Sequence, residues 1–206
     1  EVLFTSQQRF IADVSHELRT PLTVIKGNVD LMRRMKDFDP ESLDSIDQEA
    51  GRLTRLVTDL LLLAKAEAGS LPLTKSTVEL DALLMEVFGE MRVLAANKVR
   101  VKLTEIDQLQ VSGDRDRLKQ VILNLVANAI QYTPAGGDVY LSLNRSGDRA
   151  KLIVRDTGPG IPAEDLPYIF ERFYRAEKSR TRSSAAGFGL GLSIAHWIVE
   201  QHGGTI

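Results

Sequence analysis

The opening of this chain carries two consecutive stretches of helical spacing, and no third apolar helix accompanies them to cover their stripes. From Thr5 to Lys36, Phe10, Val14, Leu18, Leu22, Ile25, Val29 and Met32 recur every three or four positions, the period of one helix face. Asp37 to Asp39 break the pattern. Asp39 is suited to cap a second helix, and Pro40 fits its first turn, where a missing N–H costs nothing. That helix should run to about Ala68, with Leu43, Ile46, Leu53, Leu56, Val57, Leu60 and Leu63 along it. Each helix then spans roughly 45 Å at about 1.5 Å per residue. Two such helices joined by a short loop make an antiparallel hairpin. With nothing else to bury its apolar stripe, the hairpin is expected to pair with a second copy as a four-helix bundle.

Ala68-Gly-Ser-Leu-Pro72 has linker composition, and after it the pattern is mixed. The expected domains are therefore 1–70 and 71–206. Thr74 to Leu80 alternates like a strand, and Asp81 is suited to cap a helix bearing Leu84, Val87, Phe88, Met91 and Leu94. VRVKLTE and LQVSG look like strands, and Asp114 is suited to cap a helix through Gln131. VYLSLNRSGDRAKLIVRD reads as two strands around the turn Ser146-Gly147-Asp148. A last helix should follow Gly191. The alternation suggests an α+β sandwich with helices on one sheet face. Absence of cysteine excludes disulfides, thiolate metal sites and cysteine nucleophiles, and it is compatible with a reducing cytosol. The formal charge of -2 gives no sign of a nucleic-acid-binding surface. No apolar run approaches the ~18 residues of a membrane span. The chain opens in what reads as mid-helix, so a longer protein is expected around it.

Within the first helix, FIADVSHELRTPL concentrates chemistry. His16 and Thr20 are four apart and share a face. Glu17 is adjacent and reaches one ring nitrogen in a suitable rotamer. A carboxylate there fixes the tautomer and makes the other nitrogen the better nucleophile. Pro21 lacks the N–H that would bond the Glu17 carbonyl, which predicts a bend beside the histidine. A lone surface histidine is usually inert; His196 and His202 lack such company and read as structural.

Three further clusters follow. Asn124, Asn128 and Gln131 line one side of a helix whose other side carries Leu118, Val121, Ile122, Leu125 and Ala129. Amide oxygens are hard ligands that suit Mg²⁺ beside phosphate oxygens and water. Asp156-Thr-Gly-Pro-Gly160 ends a strand. Its carboxylate accepts a hydrogen bond from adenine's exocyclic amine, whereas guanine presents an oxygen there, and nearby glycines let backbone approach a flat ligand. Gly187-Phe-Gly-Leu-Gly-Leu192 precedes a helix, an arrangement that binds phosphate through N–H groups and the helix dipole. No Lys-Ser/Thr follows, so it is not a P-loop. Between the glycine clusters, Glu171 to Ala186 has the polar, basic composition of a mobile lid.

SHELRTPL resembles the H-box of sensor histidine kinases nearly letter for letter. NLVAN, DTGPG and GFGLGL resemble their N, G1 and G2 boxes in order, and IFERFYR resembles their F-box. The likeness covers nearly the whole chain. It implies a dimerisation and histidine phosphotransfer domain, then an ATP-binding domain of the fold shared with gyrase, Hsp90 and MutL ATPases (Bergerat or GHKL). On this resemblance His16 would be phosphorylated, Glu17 would accept its proton, and Thr20 would position water for dephosphorylating a partner. Asn128 would ligand Mg²⁺, Asp156 would read adenine, Tyr132 would flank the nucleotide, and Phe170 and Phe173 would anchor the lid. Asn124, Gln131, Gly158, Gly160, Arg175, Gly187, Gly189, Leu190 and Gly191 complete the implied site for ATP and its product ADP. Where the family often has Lys or Arg this chain has Gln131, and Arg175 or Lys178 could supply the phosphate contact. The chain stops at Gly-Gly-Thr-Ile, where the family continues into a terminal hairpin, so the second domain reads as truncated.

The resemblance implies a homodimer, a response-regulator receiver domain as partner, and a cytoplasmic location in a sensor anchored to the cell membrane. Two other readings stay open on sequence: a gyrase-like hydrolysing ATPase, and a non-enzymatic dimeric relay with a degenerate ATP site. Asn124 stands where gyrase-like enzymes carry a water-activating glutamate, and an amide is no base. The intact glycines and asparagines argue against the relay.

Overall fold

A computed structural model describes residues 2–35, 38–69, 71–95, 98–175 and 187–206, without the side chains of residues 2–9 and 67. The expectations for Asp37, for Lys178 and for 176–186 of the lid fall outside these residues. The chain divides into two compact units, Glu1–Ser70 and Leu71–Ile206.

The first unit is a hairpin of α1 (Val2–Met35) and α2 (Pro40–Glu67). Asp39 caps α2 as its sequence predicts: the carboxylate accepts the Ser42 N–H at 3.2 Å, with Pro40 in the first turn. The Ser42 hydroxyl donates to the same carboxylate at 2.5 Å, and this bond holds the Asp39 carboxyl below its usual range. Asn28 Nδ2 donates to Ser45 Oγ at 3.0 Å and so ties the two helices near the turn. Leu56, Leu62 and Leu63 are buried, yet much of the apolar stripe stays outside, with Leu22 54% and Leu61 56% exposed. One hairpin therefore does not bury its own stripe. α1 passes through Pro21 as a continuous helix.

Asp59 lies half-buried on α2, and burial pushes its carboxyl up to about 6, with Arg55 opposing the shift. A folded-state value above the ordinary 3.8 contributes stability that is complete below about pH 4. That contribution is lost as pH rises through about 6. The Asp59→Asn variant removes this slope. Thermal melts at pH 5 and 7.5 should differ less in the variant than in the parent, with a gain of about 1 kcal/mol at the higher pH after allowance for solvent screening. An unchanged difference between the two pH values would show that burial at this position has no energetic consequence.

The second unit holds a three-stranded sheet of β2 (Arg100–Ile106), β4 (Asp138–Ser146) and β5 (Arg149–Asp156), in the order β2-β4-β5. β2 runs parallel to β4, and β4 pairs antiparallel with β5 through a turn in which Gly147 takes a φ of 64°. A separate two-stranded ribbon pairs β1 (Ser76–Glu79) with β3 (Gln110–Gly113). Among the described residues the unit also holds three α-helices, α3 (Leu80–Ala95), α4 (Arg115–Tyr132) and α5 (Gly191–Gln201), and a short 3-10 turn at Leu166–Tyr168. Val101, Val139, Leu141 and Leu143 face a core shared with Leu83, Leu84, Val87, Ile122, Val126 and Ala129 of α3 and α4. Arg100, Lys102, Lys151 and Arg155 alternate with these apolar positions and face solvent, as expected for a sheet covered on one face. The strand expected over Thr74 to Leu80 is shorter, because Leu80 is needed in the core and already begins α3. Asp81 is thus not a cap. It sits in the first turn, where a carboxylate still favours the helix dipole.

Candidate nucleotide and phosphoacceptor sites

His16 is exposed on α1, with Glu17 half-buried beside it and Thr20 exposed one turn on. Ser15 and Thr23 turn their hydroxyls back onto the carbonyls of Ile11 and Arg19, both at 2.8 Å. Among the described residues, the His16 ring, the Glu17 carboxylate and the Thr20 hydroxyl have no hydrogen-bond partner. Glu17 therefore does not touch the ring in this state; all three groups are available to reactants. A shallow groove lined by Ser15, Leu18, Arg19, Leu22, Thr23 and Lys26 runs along α1.

In the second unit α4 gathers the other clusters. Asp114 caps it by accepting the Arg117 N–H at 3.1 Å. Val121, Ile122, Val126, Ala129 and Ile130 are buried, leaving the amides on the remaining side. Asn124 Nδ2 donates to the Gly191 carbonyl at 3.0 Å, which joins the middle of α4 to the first turn of α5. Asn128, half-buried one turn on, keeps its amide free of described partners. At the end of α4, the Tyr132 carbonyl lies 3.1 Å from where a Cβ on Gly158 would stand, so only glycine lets the strand-end turn come this close. The Gly158 N–H donates to Asp156 Oδ1 at 2.7 Å. That bond orients the exposed carboxylate and leaves Oδ2 as an acceptor. Lys98 Nζ donates to the carbonyls of Ile130 and Gln131 at 2.8 and 2.7 Å. It places a cation at the negative end of α4. The sequence reading missed Lys98, because it comes from a connection remote in the chain.

The glycine-rich segment enters α5 through Gly189, which takes a φ of 74°. A Cβ there would stand 2.8 Å from backbone atoms of Phe173 and Tyr174. The Phe173 N–H donates to the Gly189 carbonyl at 3.1 Å, and Phe173 itself holds a φ of 60°, a conformation rare outside glycine. Phe188 and Leu190 are buried anchors on either side of Gly189. Phe170 packs on the His196 ring at 4.7 Å between centroids. The Tyr174 hydroxyl donates to Asp165 at 2.5 Å, which pushes its pKa up to about 12. Gly160 and Gly187 have open space around them, and Arg175 is half-buried with its Nε unpartnered. His202 accepts the Asp114 N–H at 2.9 Å on Nε2 and lies 2.7 Å from the Ile198 carbonyl through Nδ1, a structural use of both nitrogens.

Asn124 with Gly191, Tyr132 with Gly158, and Phe173 with Gly189 are thus three direct contacts among sequence-remote clusters. The same unit holds an unspent amide, a carboxylate acceptor and a helix N-terminus, groups of the kind that bind a nucleotide.

Residues 6–69 match the His Kinase A (phospho-acceptor) domain, and residues 113–206 match the histidine kinase-, DNA gyrase B- and HSP90-like ATPase. The chain is 41% identical over 199 residues to the signal transduction histidine-protein kinase BaeS of Escherichia coli, covering 96% of this chain and 42% of that protein. The curated relatives it matches are about twice its length or more. A mycobacterial sensor histidine kinase, MprB, is similar at 30% identity and a TM-score of 0.55, over 63% of this chain and 81% of that one. The histidine kinase ThkA, solved in complex with the response regulator protein TrrA, is similar at 30% identity and a TM-score of 0.70, over 95% of this chain and 55% of that one. With both domains matched in order, BaeS and ThkA similar over nearly the whole chain, and MprB similar over most of its own length, the chain belongs to the sensor histidine kinases of two-component systems.

Proposed function

We propose that this region transfers the γ-phosphoryl group of ATP to His16 and then to an aspartate of a response regulator. The observation that carries the reading is the convergence of the amide, carboxylate and glycine clusters on α4. In the transfer, one His16 ring nitrogen forms a bond to the γ-phosphorus as the bond to the bridging oxygen of ADP breaks. Glu17 takes the ring proton, and ADP leaves. The regulator's carboxylate then displaces histidine from phosphorus. Residues 1–70 act as the dimerising phosphoacceptor domain and 71–206 as the catalytic domain.

In the nucleotide site Asp156 accepts from adenine, Tyr132 flanks the base, and the first turn of α5 with Gly187, Gly189 and Gly191 offers N–H groups to phosphate. Asn128 is the protein ligand for Mg²⁺, which when bound neutralises phosphate charge. Among the described residues no cluster of three or more acidic or histidine side chains could hold a metal ion. The Asn124 amide donates to Gly191 and cannot serve as a base toward water, which favours transfer over hydrolysis. The uncovered stripe of the hairpin supports a homodimer. The complex of ThkA with TrrA supports a response regulator as partner. No helix among the described residues is long and apolar enough to cross a membrane. We assign the region to the cytoplasmic side of a membrane-anchored sensor, as the family resemblance implies.

The division of labour within one turn of α1 tests this mechanism. Thr20 is too weak a base to take a proton, but its free hydroxyl orients a water molecule. Thr20→Ala should keep most autophosphorylation and lose most dephosphorylation of the regulator. Glu17→Gln should do the reverse, because an amide fits the space but takes no proton, and general-base loss typically costs about 10²- to 10⁴-fold. Both rates are to be measured in both variants. Equal losses of both activities would mean that the pair only shapes the helix at Pro21.

A further inference from the structure

The end of β5 is fastened to β4 by a residue that the nucleotide reading leaves without a role. Register pairs Val139 with Asp156, and the next residue, Thr157, continues the ladder in an unusual way. Its N–H donates to the Asp138 carbonyl at 3.0 Å, and its side-chain Oγ1 accepts the Asp138 N–H, also at 3.0 Å. A threonine hydroxyl thus replaces the carbonyl that an antiparallel partner would supply at this point. The neighbourhood is built around that hydroxyl. A Cβ on Gly137 would stand 2.8 Å from Thr157 Oγ1 and 2.4 Å from Cγ2 of Thr133. Thr133 is itself fixed, being 1% exposed and donating its hydroxyl to the Ala129 carbonyl at 2.6 Å. Asp138 is held in turn by Arg100 and Lys102, at 2.7 and 2.9 Å, which keep its carboxyl well below the usual range. Thr157 therefore grips a residue that does not move freely.

One position before it stands Asp156, and one position after it Gly158, whose N–H orients the Asp156 carboxylate. We propose that Thr157 is a positioning residue for base selection: its hydroxyl fixes the turn that presents Asp156, and so sets how sharply the site separates adenine from guanine nucleotides. This rests on the reading of Asp156 as the acceptor for adenine. Selection depends on the direction of one carboxylate lone pair. A turn free to pivot about the last ladder bond lets the carboxylate retreat from guanine's oxygen, so discrimination is lost before affinity is.

The test is ATP and GTP affinity, each with magnesium, by equilibrium titration of the whole chain and its Thr157→Val, Thr157→Ser and Asp156→Ala variants, with a thermal melt of each. Valine keeps the shape and removes the acceptor; serine keeps the acceptor. The expected result is a fall in the ATP-to-GTP preference of roughly two- to ten-fold in Thr157→Val, the range of one neutral hydrogen bond. Thr157→Ser should retain the parent preference, and Asp156→Ala should abolish it. A Thr157→Val variant that weakens both nucleotides equally, or melts lower with its preference intact, would reduce Thr157 to a structural residue and overturn the proposal. So would a Thr157→Ser variant as unselective as Thr157→Val. If Asp156→Ala keeps the preference, the reading of Asp156 itself fails, an outcome distinct from failure of Thr157 alone.

Discussion

His16→Gln will take up no phosphoryl label from γ-labelled ATP and will bind the nucleotide as tightly as the parent chain. Glutamine keeps much of the size and polarity of the side chain, but its nitrogen lone pair is conjugated with the carbonyl and does not attack phosphorus. The position is an exposed one on α1, and the clusters proposed to bind nucleotide all belong to the other compact unit, so binding has no reason to change. The two remaining histidines offer no substitute. The His196 ring packs on Phe170 with Nδ1 3.5 Å from Glu200, and both His202 nitrogens are engaged with backbone. Acid-labile, base-stable phosphate persisting on the variant would move the acceptor elsewhere.

Asp156→Ala should weaken ATP binding roughly 10- to 150-fold, the range of about 1.5–3 kcal/mol for a hydrogen bond to a charged group, and erase the preference over GTP. The Asx turn explains why the effect belongs to the carboxylate rather than to the fold. Gly158 donates to Oδ1 alone, the side chain is exposed, and β5 is held to β4 by ladder bonds that do not involve this side chain. Titration of both nucleotides checks the expectation, and unchanged affinity and selectivity would remove Asp156 from the site.

What was legible in the sequence is what depends on near neighbours. Asp39 before Pro40 and Asp114 before Arg115 predict two helix starts because a cap is a contact across three residues. Ser146-Gly147-Asp148 between two alternating runs predicts the turn, and Gly147 takes the φ of 64° there that glycine allows. The unpaired stripe of the hairpin was legible because periodicity alone counts its apolar positions. The core face of α4 was only partly so. Val126 is fully buried but was not among the core positions expected there, since packing against the sheet and α5 decides which apolar residues turn inward. Asp81 was misplaced for the same reason: burial of Leu80 starts α3 two residues earlier than the cap pattern indicates.

The site itself shows the same division. Five short motifs name the candidate residues, but not the junctions between them. Asn124 and Gly191 are 67 residues apart in the chain, and Lys98 reaches the end of α4 from 33 residues before Gln131. Phe173 at a φ of 60° is a further case. Nothing local in IFERFYR demands it; it arises because Gly189, lacking a side chain, lets its backbone close on the Phe173 N–H.

In the proposed reaction the γ-phosphoryl group goes to His16 rather than to water. Incubation of the intact chain with γ-labelled ATP and magnesium, followed by acid and base treatment and by mapping of the labelled peptide, tests it most directly. The expected result is protein-bound label that is lost in acid, survives base, and lies in the peptide containing His16. Release of free phosphate with no labelled protein would contradict it and return the chain to the hydrolysing ATPases.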